Sequence, residues 1–135
     1  MSQLELEIIT PERVLVSEKV DMLEAKGELG EFGVLPGHIQ FLTTVDIGEI
    51  RYFKDGKTYY IATSGGFAEV VNDKILMLLE TAELAHEIDV ERANVAKERA
   101  EAALKEISMD STEYRMYELA LLRAITRITT ASKKI

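Results

Sequence analysis

The chain has 135 residues, a net charge of −8 and 47% hydrophobic residues, enough for one ordinary domain or two small units with a real core, and too apolar for a disordered chain. It has no cysteine and two histidines, His38 and His86, which excludes disulfides, thiolate catalysis and cysteine-type zinc sites and argues against a histidine-rich metal site; no metal is expected. The acidic balance argues against a nucleic-acid partner, no apolar run approaches the ~18 residues of a membrane span, and Met1–Glu5 lacks the features of a signal peptide, so a soluble, intracellular protein is expected.

The first half predicts short strands. Leu4, Leu6 and Ile8 alternate with Glu5 and Glu7, the period of a half-buried strand. Val14 and Val16 resume after Thr10-Pro11, and Val20, Met22 and Leu23 begin another apolar run. Asp55-Gly56 separates Ile50, Tyr52 and Phe53 from Tyr59, Tyr60 and Ile61; Asp-Gly between β-formers marks a type I′ hairpin, because both central residues need positive φ. Asn72-Asp73 predicts a second tight turn between Phe67–Val71 and Lys74–Leu79. Seven or more such strands predict an antiparallel sandwich or barrel.

The second half changes character. All eight glycines lie at or before Gly66, both prolines lie in the first third, and the net charge of −8 resides entirely in residues 1–84. Beyond them Ala93, Ala96, Ala100, Ala103 and Ile107 recur at helical spacing behind Asp89, a good N-cap. Ser108–Ser111 interrupts, with Asp110 and Glu113 at capping-box spacing. Tyr114, Tyr117, Leu121, Ala124, Ile125 and Ile128 then form a second stripe. Two amphipathic helices on a short link predict an antiparallel helical hairpin. Its stripes offer little core of its own, which predicts a mobile unit. The fold class is therefore α+β, with a β-unit over residues 1–86 and a hairpin over 87–135.

The segment "GELGEFGVLPGH" (Gly27–His38) is rich in glycine, yet it is no phosphate loop: Lys26 precedes the glycines, Pro36-Gly37 prevents a following helix, and the G-x-G-x-x-G spacing is absent. No serine or cysteine nucleophile accompanies His38, and no G-x-S-x-G elbow exists. On the residues alone, Glu31 reads as a solvated charge and His38 as a turn residue; an acid–base pair of the two is the enzymatic alternative.

Three motifs in order, "GEFGVLPGH" (Gly30–His38), "SGGFAEV" (Ser64–Val70) and "IDVERA" (Ile88–Ala93), ahead of an alanine-rich helix pair, resemble the epsilon subunit of bacterial F-type ATP synthases over essentially the whole chain. The family commonly continues Gly-His-Ala-Pro where this chain has Gly37-His38-Ile39-Gln40, which alters the loop's exit. The resemblance implies a non-catalytic rotor subunit on the cytoplasmic side of the cell inner membrane, helping to couple proton transport to ATP synthesis. Its implied partners are the gamma subunit, the membrane ring of c subunits near Glu31 and His38, and the catalytic beta subunits through an extended, inhibitory second helix.

ATP-binding members of the family carry an Ile/Leu-Asp-x-x-Arg-Ala motif, matched here by Ile88, Asp89, Arg92 and Ala93. Arg92 and Arg99 share one helix face, and Arg123 and Arg127 share a face of the other. In a folded hairpin the four guanidiniums converge on one triphosphate, with Glu83 or Asp89 near the adenine amino group. ATP is thus the expected regulatory ligand, with no cofactor required. Without the resemblance, Asp89 is an N-cap and the arginines are solvated partners of Glu91, Glu98 or Glu118. A free-standing small-molecule module of the same architecture is the alternative function.

Overall fold

The computed structural model describes residues 2–38 and 40–133; Ile39, at the loop exit, lies outside the described residues. Ten strands form among those residues: β1 (Leu4–Ile9), β2 (Val14–Val20), β3 (Met22–Gly27), β4 (Gly30–Val34), β5 (Phe41–Val45), β6 (Gly48–Lys54), β7 (Lys57–Thr63), β8 (Gly66–Val71), β9 (Lys74–Leu79) and β10 (Ala82–Leu84). One 3-10 turn (Ala85–Glu87) leads into α1 (Val90–Glu106) and α2 (Thr112–Ala131).

The strands build two five-stranded sheets, β2-β1-β9-β8-β5 and β10-β7-β6-β3-β4, with the predicted alternation. Leu4, Leu6 and Ile8 of β1 are buried, while Glu5 and Glu7 face outward. The opposite sheet contributes Leu23, Ile50 and Ile61 to the same core. Both tight turns carry the left-handed backbone that their residues favour: φ is 52° at Asp55, 78° at Gly56, 50° at Asn72 and 62° at Asp73. One pairing departs from the antiparallel pattern. β1 and β9 run parallel, with Leu6 against Ile75 and Ile8 against Met77. A parallel pair needs a long crossover, and here β2 to β8 all intervene.

Two motif glycines are there because the chain itself comes close. A Cβ at Gly66 would collide with the Leu78 carbonyl and lie 2.8 Å from Leu79 Cα, and one at Gly27 would lie 2.8 Å from the Thr44 carbonyl oxygen. The segment around Gly27 is also not a single loop. It is the β3–β4 hairpin, then β4, then a turn closed by the His38 N–H donating to the Leu35 carbonyl at 3.1 Å. The Gly37 N–H ties that turn to Asp73 Oδ1 at 2.7 Å.

Asp89 caps α1, its Oδ1 accepting from the Arg92 N–H at 3.0 Å. At the start of α2 the cap is Ser111, not Asp110: Ser111 Oγ accepts from the Glu113 N–H at 3.1 Å. A hydroxyl next to the first turn reaches that donor, whereas Asp110 lies one residue too early. The helices meet through small side chains, with Ala93, Ala100 and Ala124 buried. Ile125 lies off that seam and is 41% exposed, since it stands about 100° from its buried neighbour Ala124 around the helix.

Candidate functional site

The hairpin lies against the outer side of the second sheet, with α2 packed on β6, β7 and the 3-10 turn. The buried apolar contact between the two units is small: Ala62 of β7, Ile88 just before α1 and Ala131 at the end of α2. Ion pairs hold the rest. Arg127 of α2 donates from Nε to Glu83 Oε1 at 2.7 Å, with Nη2 3.4 Å from the second oxygen. Lys133 Nζ reaches Glu49 Oε2 at 2.9 Å and sits 5.6 Å over the Tyr60 ring. Glu49 Oε2 also accepts from Arg51 Nη1 at 3.1 Å, so one carboxylate joins β6 to the end of α2. Arg13, between β1 and β2, grips Glu87 of the 3-10 turn with two bonds of 2.9 and 2.8 Å.

This arrangement leaves a groove of about 650 Å³ between the sandwich edge and the hairpin. Glu83 lines it from β10, Arg92 from α1, and Arg123 and Arg127 from α2; Ala96, Ala120 and Ala124 form its floor between the helices. Arg92 and Arg123 form no ion pair among the described residues, so both guanidiniums are available to an anion. Arginine suits a phosphate through its fork of donors and its permanent charge.

Other expected residues have different placements. Ile88 is buried in the docking contact and Ala93 in the seam between helices. Asp89 is exposed and engaged as the cap. Arg99 is exposed on α1 outside the groove lining, two turns or about 10 Å along the axis from Arg92. Glu31 and His38 are not brought together. Glu31 accepts from Arg51 Nη2 at 3.1 and 3.2 Å, and the His38 ring packs at 4.9 Å from Phe41 beyond the other end of β4. The acid–base alternative thus has no assembled pair. Burial alone would lower the Arg51 pKa, but hydrogen bonds to Glu24, Glu31 and Glu49 more than offset this and raise it. Among the described residues no group of acidic or histidine side chains is placed to hold a metal ion, and no helix is long and apolar enough to cross a membrane.

Two family models match the chain in tandem. One is the β-sandwich domain of the ATP synthase delta/epsilon chain, over residues 3–85, and the other is the long α-helix domain of the same chain, over residues 86–132. The chain belongs to the ATP synthase delta/epsilon family. Among curated relatives in that family, the ATP synthase epsilon chain of Geotalea daltonii is 50% identical over 131 residues, covering 97% of this chain and 95% of its own. That of Geobacter sp. strain M21 is 49% identical over the same share of each chain. Among solved structures, a chain of the Euglena gracilis mitochondrial ATP synthase (OSCP/F1/c-ring, rotational state 1) superposes with a TM-score of 0.81 at 27% identity, covering 98% of this chain and 82% of that one. A chain of the Tetrahymena thermophila central stalk/c-ring structure shares the fold, with a TM-score of 0.59 at 9% identity and coverage of 98% and 96%.

Sequence reasoning missed Arg13, which lines the groove beside Arg92, Arg123 and Arg127. No spacing rule finds it, because its approach to Glu87, 74 residues away, depends on the fold as a whole.

The Arg13–Glu87 pair predicts a pH dependence. The hydrogen bond from Arg13 is the largest cause holding the Glu87 carboxyl below its ordinary value, and the Leu84 N–H adds to it. A carboxyl with a lowered folded pKa contributes stability that is present above its unfolded value and lost as pH falls through the folded one. Glu87→Gln should therefore melt below the parent at pH 7, and the gap should close as pH is lowered through the carboxylate range. Thermal unfolding of both proteins followed by circular dichroism from pH 7 to pH 3 checks this.

Proposed function

We propose that this chain is a non-catalytic, central-stalk subunit of an F-type ATP synthase. On this reading its sandwich joins the gamma subunit to the ring of c subunits on the cytoplasmic side of the inner membrane, helping to link proton transport to ATP synthesis, and its hairpin regulates ATP hydrolysis. The observation that carries the regulatory part is the thin contact between hairpin and sandwich: two alanines, one isoleucine and a few partly exposed ion pairs. Exposed pairs are worth about 0–1 kcal/mol each, so the hairpin can leave the sandwich without disturbing its core.

The other sheet offers the surface for gamma. Leu42, Phe67 and Leu78 stand 71%, 58% and 50% exposed on the outer face of β5, β8 and β9, away from the hairpin, and an apolar patch on an otherwise charged protein marks a partner surface. The second helix offers the inhibitory element. Residues 111–135 carry Arg115, Arg123, Arg127, Lys133 and Lys134 against Glu113 and Glu118, so when extended along gamma this segment attracts acidic surfaces of the catalytic beta subunits. Deleting residues 111–135 should raise ATP hydrolysis by the assembled enzyme; unchanged hydrolysis with the truncated subunit still bound would contradict the inhibitory role.

The groove supports ATP as the regulatory ligand. Arg92 lies on one helix and Arg123 and Arg127 on the other, so they meet one triphosphate only while the hairpin is folded. A ligand with differential affinity for two states shifts their balance, and ATP accordingly favours the compact form. Calorimetric titration of the isolated chain should show one site. Arg92→Ala and Arg127→Ala should each weaken it about tenfold or more, the scale of a lost charge-assisted hydrogen bond, while Lys105→Ala, outside the groove, should leave it unchanged. An absence of binding at millimolar ATP would remove the ligand and leave the stalk assignment standing.

A further inference from the structure

Three of the groove's four arginines ride on the hairpin; the fourth belongs to the sandwich. Arg13 closes the turn between β1 and β2, and that turn is stiff. The Thr10 N–H donates to the Arg13 carbonyl at 2.9 Å, and Thr10 Oγ1 accepts from the N–H groups of Glu12 and Arg13 at 3.3 Å each. Pro11 fixes its own φ inside the loop. Glu87 is fixed as well, since its Oε1 accepts from the Leu84 N–H at 3.0 Å while both its oxygens face Arg13. The guanidinium is therefore held from both ends at the wall of the groove. A bidentate carboxylate uses two of its five N–H donors and leaves three. Glu12, Glu80 and Glu83 line the groove as well, so its lining carries four arginines against three carboxylates.

We propose that Arg13 is a further phosphate-binding residue, and that a polyphosphate chain in the groove is gripped from the sandwich and from both helices at once. This rests on the reading of the groove as a nucleotide site. It changes what the ligand does. Contacts to Arg92, Arg123 and Arg127 alone would clamp α1 to α2 but give no preference for a hairpin docked on the sandwich. Arg13 makes the ligand a brace between the two units, so part of the binding energy is realised only in the docked form. Glu87 then serves as the holder of Arg13 and not as its competitor, because the pair leaves donors free.

The test is calorimetric titration of the full chain with ATP and, separately, with inorganic tripolyphosphate, which lacks the base. Arg13→Gln should weaken both about tenfold or more, and Arg13→Lys, which keeps the charge but loses the fork, should weaken them less. Glu87→Gln loses the holder but leaves in place the Arg13 charge that faces the phosphate, so it should weaken binding less than Arg13→Gln does. Binding by Arg13→Gln within about twofold of the parent would overturn the proposal and leave the groove's other arginines as the site. Equal weakening in Arg13→Gln and Glu87→Gln would also overturn it, since Arg13 would then act only as a latch. If the parent binds neither compound, the nucleotide reading of the groove falls and this inference falls with it.

Discussion

The contact between the hairpin and the sandwich governs what the molecule can do. Its fully buried apolar part is Ala62, Ile88 and Ala131, two alanines and one isoleucine, and at about 25 cal/mol per Å² only Ile88 contributes much. Arg13–Glu87, Glu83–Arg127 and Glu49–Lys133 add ion pairs at the rim, with Glu83 and Arg127 retaining 32% and 25% of their side-chain exposure. Partly exposed pairs lose strength as salt screens them. The sandwich itself rests on a different scale of interaction, a continuous core from Leu4, Leu6 and Ile8 to Ile50, Ile61 and Met77. The docking contact is therefore small beside the core of the body it rests on.

The same thin contact creates the groove. Alanines along the helix seam let α1 and α2 approach closely, and that approach places Arg92 on one side and Arg123 and Arg127 on the other. Arg127 is neutralised by Glu83, while Arg92 and Arg123 line the groove without an ion pair among the described residues. Arginines from the sandwich and from both helices thus line one groove, two of them in ion pairs and two without. The regulatory logic proposed for the chain follows from that electrostatic arrangement.

Much of the fold was legible in the sequence because local physics dictated it. Asp55-Gly56 announced a type I′ turn and Asn72-Asp73 a second tight turn, because those residues tolerate positive φ. The helix stripes announced a hairpin because only one face of each had a partner. Features set by distant pairing were silent: the parallel register of β1 with β9 and the approach of Arg13 to Glu87 have no local signature. The site was half legible for the same reason. Periodicity correctly put Arg92 and Arg99 on one helix face, but it could not tell that the groove covers only the first turns of α1. The enzymatic alternative paired Glu31 with His38, whereas β4 carries them apart, to Arg51 and to Phe41.

The central claim is that the hairpin docks reversibly through screened charges and is held by an anion. The chain's lack of cysteine allows clean spin labelling of a Lys57→Cys/Glu101→Cys variant, one label on β7 and one on α1. Distances measured by pulsed electron resonance in the free chain should show a docked and a detached population. The docked fraction should fall as salt is raised from about 0.05 to 0.5 M, a range over which screening becomes strong, and rise when ATP is added. A single distance that ignores both salt and ATP would contradict the account.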